Sequence, residues 1–212
     1  MARPFVTPPS LTARQRVGRF ESCCVDDEPS IEALFRKRHE VFHAEMKLAG
    51  ALAATDIERD AIDERSAHIA CFDDDGEIAG YSRLIYGAPA LPTLVIYGVE
   101  REFASTTAEV SRLIVAPRYR SSDVASKLIR SSLWSVMFRH ARANGITSVV
   151  ASGRPALFNA LRASGIAVER LDASVPVNLF QFGDVYRDFF RGGEVVPMRA
   201  TLVEASAESS PR

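Results

Sequence analysis

Cysteine is scarce in this chain. Its three cysteines in 212 residues, Cys23, Cys24 and Cys71, make no Cys-x-x-Cys pair and no cysteine–histidine spacing of a zinc site. No metal site is expected, and an odd, low count suits a reducing compartment better than a disulfide framework. Long apolar runs are lacking too. No stretch approaches the roughly 18 apolar residues needed to span a bilayer, and the opening MARPFVTPPSLTARQR has no apolar heart of a secretion signal. The reading is a cytoplasmic protein with no membrane span. Net charge is also missing: 26 Lys and Arg oppose 27 Asp and Glu, a formal −1. No global field draws the chain to nucleic acid, so an electrostatic partner must be recognised by a local patch.

What is present is an ordinary globular composition, 47% hydrophobic, enough for one substantial core. Residues 1–28, rich in proline and polar groups, and 204–212, EASAESSPR, read as extensions outside it, leaving 29–203 as a single domain. Ser30 is a candidate N-cap for an amphipathic helix carrying Ile31, Leu34, Phe35, Val41 and Phe42. SAHIACF, the DDDGE turn and IAGYSRLIY predict a hairpin, followed by a short strand around TLVIYG. AEVSRLIVA predicts a strand stopped by Pro117, and residues 122–143 a long helix ended by Asn144 and Gly145. ITSVVAS, IAVERLD and VVPMRATLV read as strands, with a short helix in RPALFNALRASG. The order fits an α+β or α/β class and resembles the GNAT acyltransferase fold, in which a mixed central sheet is flanked by helices in three layers.

Several charges fall where apolar residues belong. Arg38 and Glu45 lie on the stripe that Leu34, Phe35, Val41 and Phe42 make apolar; Arg38 either snorkels to the edge or faces a polar pocket. Asp60 and Asp63 stand three apart and repel on a helical turn unless a cation, with Arg38 and Arg83 as candidates, sits between them; the alternative is a solvated acidic loop. Strand alternation puts Arg83 between Tyr81 and Ile85 on one face. In the next strand Glu109 and Arg112 are three apart, so they point to opposite faces unless a bulge intervenes. Unpaired burial of such charges costs several kcal/mol, of the order of 3–5. The three arginines and the acids Asp60, Asp63 and Glu109 can satisfy one another around a pocket, the arrangement of a functional site. The alternative is that their segments end at the surface.

Taken together, RHEVFHAEM, ERDAIDERSAH, GYSRLI and EVSRLIV resemble the LuxI-type autoinducer synthases, GNAT-fold enzymes that make N-acyl-homoserine lactones. The likeness covers roughly residues 30–116 and falls on Arg38, Phe42, Asp60, Asp63, Arg83, Glu109 and Arg112. It implies transfer of an acyl group from an acyl-carrier-protein thioester, or from acyl-CoA, to the amine of S-adenosylmethionine, followed by lactonisation with release of methylthioadenosine. No permanently bound cofactor is implied. Glu109 would take the amine proton, with Arg112 and Arg83 at the reacting groups; Arg38, Phe42, Asp60 and Asp63 would hold the substrate. Backbone amides at 113–116, exposed by a bulge, would hold the oxyanion. Leu48 stands where the family pattern has a tryptophan, so the amine is left open. N-acyl amino acid synthases and the GNAT-like acyltransferases associated with exosortases share much of the charged pattern and form the alternative.

The donor side departs from ordinary acetyltransferases. Where these have a glycine-rich loop for the coenzyme A pyrophosphate, this chain has RSSDVA, with Asp123 at the first glycine position. Arg118, Arg120, Lys127 and Arg130 offer instead a local basic surface for an acidic carrier protein, or simply a solvated helix face. An acyl pocket is expected between ITSVVAS and the helix bearing Trp134, Met137 and Phe138.

Overall fold

The computed structural model describes residues 14–47, 55–88, 90–172, 176, 179–182 and 184–202. Strands β1 (Gln15–Val17), β2 (Phe20–Val25), β3 (Ser66–Phe72), β4 (Ile78–Ile85), β5 (Thr107–Val115), β6 (Ser148–Gly153), β7 (Val168–Arg170) and β8 (Val196–Thr201) form one sheet. Its spatial order is β1-β2-β3-β4-β5-β6-β8-β7. β5 and β6 run parallel and the other neighbours antiparallel. Helix α1 (Glu28–His39) lies on one face and the long helix α4 (Asp123–Ala143) on the other, with α2 (Pro92–Tyr97), α3 (Pro117–Arg120), α5 (Pro155–Ala163) and α6 (Asp184–Arg191) around them. Leu34, Ala70 and Tyr81 pack on the α1 side; Ile69, Leu84, Leu133 and Met137 pack on the α4 side. The mixed, helix-flanked sheet is the GNAT-like three-layer fold that the element order predicts.

Three expectations need correction. Residues 14–25 do not lie outside the core: β2 pairs with β3 over Glu21–Val25, and Phe20 is buried. Its run FESCCV is short and of mixed polarity, so its strand character depends on the neighbour it pairs with. Residues 1–13 and 203–212 fall outside the described residues. Second, α1 is capped by Asp27, whose carboxylate accepts from the Ser30 amide at 2.9 Å, so Ser30 sits inside the helix. Third, TLVIYG is helix α2, started by Pro92 and closed by Gly98 at φ 70. A six-residue helix buried nearly all round shows no helical periodicity, and its β-branched residues imitate a strand.

The hairpin turn is built by Asp73, whose Oδ1 accepts from the amides of Asp75 and Glu77, both at 3.0 Å. α4 starts with Ser122, which accepts from the Ala125 amide at 3.2 Å, and ends before Gly145 at φ 73. α4 crosses β4 at Gly80, where an added Cβ would lie 2.5 Å from Ile129 Cγ2 and 3.1 Å from both Leu133 Cδ1 and the Ile114 carbonyl. Gly80→Ala is therefore expected to cost about 1–3 kcal/mol by overpacking, read as a lower urea midpoint with an unchanged slope.

Candidate active site

The sheet opens where β5 leaves β6. The two strands pair only from Thr107–Ser148 to Glu109–Val150. Beyond that point β5 bends at a bulge: Arg83 faces Ser111 and Tyr81 faces Ile114, so Ser82 opposes both Arg112 and Leu113. Arg112 takes a left-handed backbone, φ 55, a conformation that costs a non-glycine residue about 1–2 kcal/mol. A cavity of about 520 Å³ occupies the opening. Val110, Leu113 and Val115 of β5, Val149–Gly153 of β6, and Trp134, Met137 and Phe138 of α4 line it. α6 closes it with Val185, Tyr186, Phe189 and Phe190, its C-terminal end held by Arg154, which donates to the Phe189 carbonyl at 2.8 Å.

The bulge also turns Arg112 onto the face that carries Arg83. There the charges close into a ring of alternating sign. Arg38 donates from Nε to Glu58 and from Nη1 to Asp63 at 2.7 Å. Arg83 Nη1 lies 2.7 Å from both Asp60 and Asp63, supplying the cation those two carboxylates require. Arg112 Nη2 reaches Glu58 at 3.0 Å and Asp60 at 3.2 Å, completing the circuit. Three charges of each sign leave the ring neutral, so it can stand where the Arg38 and Arg83 side chains are fully buried. Burial opposes the charge on Glu58, but Arg112 and Arg38 overcome it and hold the carboxyl well below the usual range. Burial likewise opposes the charge on Asp63, and Arg38 and Arg83 outweigh it. The Arg112 guanidinium is stacked against the rings of Phe42, 5.5 Å from its centroid, and Tyr186, 4.9 Å away.

Of the residues picked from sequence, Arg38, Phe42, Asp60, Asp63, Arg83 and Arg112 thus converge. Glu109 does not join the ring as expected; the third acid is Glu58. Its signal was present in DIERDAIDE, but an irregular segment has no periodicity from which to read which acids point inward. Glu109 instead borders the cavity, fully buried between Ile85 and Val150 of the neighbouring strands. Its Oε2 accepts from the Thr93 amide at 2.7 Å. Burial pushes its carboxyl up from the ordinary 4.5 to about 7, against the opposing hydrogen bonds from Thr93. At neutral pH it is poised to accept a proton. Tyr186, also missed, donates no obvious sequence signal; its hydroxyl accepts from Arg83 Nη2 at 3.4 Å.

The basic residues do not form one free patch. Arg118 is paired with Asp73 at 2.6 Å and Arg120 with Glu45 at 2.7 Å; Lys127 is exposed, and Arg130 borders the cavity. The predicted bulge exists, one residue before the expected 113–116. Leu48 lies outside the described residues. Among those described, no helix is long and apolar enough to cross a membrane.

A family model for the acetyltransferase (GNAT) domain matches residues 38–130. No curated protein matches the sequence. Among solved structures, the chain is similar to MesI, a CoA-dependent acyl-homoserine lactone synthase, with 20% identity, TM-score 0.59 and 83% of each chain covered. It is similar to TofI, solved with an inhibitor and MTA, with 18% identity, TM-score 0.62, and 85% of this chain and 91% of that one covered. FeeM, an N-acyl amino acid synthase from uncultured soil microbes, matches with 16% identity, TM-score 0.57, and 86% and 90% covered. The acetyltransferase (GNAT) model thus matches residues 38–130, and over most of its length the chain has the fold of these solved structures.

Proposed function

We propose that this protein transfers a fatty acyl group from a thioester to the α-amine of S-adenosylmethionine and closes the product to an N-acyl-homoserine lactone signal. The observation that carries the reading is the opening of the sheet at the β5 bulge, where Glu109 and Arg112 both line one largely apolar cavity. The apolar walls take the acyl chain. Glu109 takes the proton as the amine attacks the thioester carbonyl, and the backbone at the bulge, Arg112 and Leu113, faces the developing oxyanion. Asp60 and Asp63 place negative charge for a cationic amine, while the arginines fix those carboxylates and offer a partner for the substrate carboxylate.

The preferred donor is an acyl carrier protein, because Asp123 occupies the first turn of α4, where a coenzyme A pyrophosphate needs amides without an acid. Exposed Lys127 and cavity-side Arg130 are the docking cations, assisted by Arg118 and Arg120. MesI is CoA-dependent, so both donors belong in the test. Purified protein is incubated with S-adenosylmethionine and a series of acyl-CoA and acyl-carrier-protein thioesters, and products are identified by mass spectrometry. A lactone supports the reading; its absence with every donor refutes it. The likeness to FeeM favours a second reading, an N-acyl amino acid synthase, which an open-chain acyl amino acid formed from free amino acids would support.

Chain length should follow the cavity. Ala151 on β6 lines it, and Ala151→Phe is expected to lower kcat/KM about tenfold or more for the longest accepted chain, since each misfitted methylene costs about 1–3 kcal/mol. A uniform loss over all chain lengths would place Ala151 away from the chain.

A further inference from the structure

One wall of the cavity comes from a helix too short to stand by itself. α6 has eight residues, and isolated helices shorter than about 12–15 residues are marginal in water. Its place therefore depends on what grips it. Near its start Tyr186 meets the charged ring, 3.4 Å from Arg83 and stacked on Arg112. At its end the grip is Arg154.

Arg154 occupies the N-cap position of α5, but its side chain makes no capping bond there. It turns across to α6, where Nη2 donates to the Phe189 carbonyl at 2.8 Å and Nη1 to the Glu194 carbonyl, just beyond the helix, at 3.1 Å. The last carbonyls of a helix have no partner within it, and the negative end of the helix dipole favours a cation there. The guanidinium also lies over the Phe189 ring, 4.7 Å from its centroid. Two glycines make room for it. A Cβ added at Gly192 would stand 2.9 Å from Nη2 and one at Gly193 3.2 Å from Nη1, while Gly193 has φ 134, a backbone that glycine adopts readily and other residues do not. Arg154 thus fixes both the backbone and the ring of Phe189, which meets Phe190 edge-to-face at 5.9 Å. Arg154, Phe189 and Phe190 all border the cavity.

Resting on the acyl-transfer reading above, we infer that Arg154 is a positioning residue that sets chain-length selectivity by clamping the aromatic end of α6 against the acyl chain. A wall discriminates only if it resists displacement. A fixed ring rejects one methylene too many by about tenfold or more, whereas a helix end free to swing yields to the longer chain and lets water reach the shorter one. Arg154 acts through Phe189 and not through Glu109, so its effect falls on acyl binding and not on proton removal.

The test uses the full-length protein with S-adenosylmethionine and the thioester series above. Arg154→Met keeps a long side chain and removes the donors. It is expected to lower the kcat/KM preference for the favoured thioester over longer ones about tenfold or more, through KM rather than kcat. Trp134, the one tryptophan of the chain, lines the same cavity and is 4% exposed; its emission should shift to the red, and acrylamide should quench it more, as water enters. Arg154→Lys, which keeps a donor for the Phe189 carbonyl, should restore part of both properties. Gly192→Ala, which crowds the guanidinium from an exposed turn, should reproduce the changes of Arg154→Met and remains informative if that variant does not fold. If Arg154→Met and Gly192→Ala both keep the parent's chain-length preference, the clamp is wrong and the acyl-transfer reading stands. A loss equal at every chain length, or one carried by kcat, makes Arg154 a support of the fold and also overturns the clamp. A parent that forms no acylated product from any thioester removes the acyl-transfer reading, and the selectivity with it.

Discussion

Glu109→Gln should reduce kcat by about two to four orders of magnitude, the usual contribution of a positioned base, while leaving a folded protein. Glutamine keeps the shape and the oxygen that accepts from Thr93, but it cannot take a proton. The parent's kcat should rise with pH through about 7, the value to which burial lifts this carboxyl. Stability moves the other way. The native state keeps the proton to about pH 7 while the unfolded chain loses it near 4.5, so the unfolded state binds fewer protons in that window and stability falls as pH rises through it. At about 1.4 kcal/mol per pH unit, the total is roughly 3 kcal/mol. The variant lacks this slope, so at pH 8 it should be at least as stable as the parent in urea. A variant that is inactive because it is unfolded would remove the argument; one that is fully active would remove the base.

Arg38→Ala is expected to be the most damaging change for folding, costing about 3–5 kcal/mol. It opens the ring, leaving Glu58 and Asp63, whose side chains are 1% and 2% exposed, with one arginine each instead of two. Against a total stability of about 5–15 kcal/mol, that loss lowers the urea midpoint severely and unfolds the chain near physiological temperature. Both carboxyls lie below their ordinary values in the native state, so their stabilising part is present at neutral pH and is lost as pH falls through the acid range. The parent should show this acid-side loss, and Arg38→Ala should show less of it. A cost below about 1 kcal/mol, the worth of an exposed pair, would mean that the ring is solvated.

The Asp-Gly hairpin, the long helix after Pro117 and the charges in EVSRLIV could be read from the chain because each rests on local chemistry. A turn needs a residue tolerant of positive φ, a helix shows its period, and an ionised side chain in an apolar run demands a partner. The π-helical turn Glu40–Glu45 that follows α1 and the helix in TLVIYG were not legible: the first continues the helical run of α1 with Val41 and Phe42 still buried, and the second is buried nearly all round. The edge strand β1 and its neighbour β2 were missed because short mixed sequences become strands only beside a partner.

The sequence by itself determined that Arg38, Arg83 and Arg112 would need acids, and that strand alternation would keep Glu109 and Arg112 apart unless the backbone departed from it. Only the tertiary structure decided which acids answer, because Glu58 reaches the ring along an irregular segment with no period. Only the strand pairing, too, made the bulge that sets Arg112 in a left-handed backbone, opens β5 from β6, and leaves Glu109 buried against the Thr93 amide, outside the ring. Periodicity reports a residue's face within its own element; partners and burial come from distant segments that meet only in the fold.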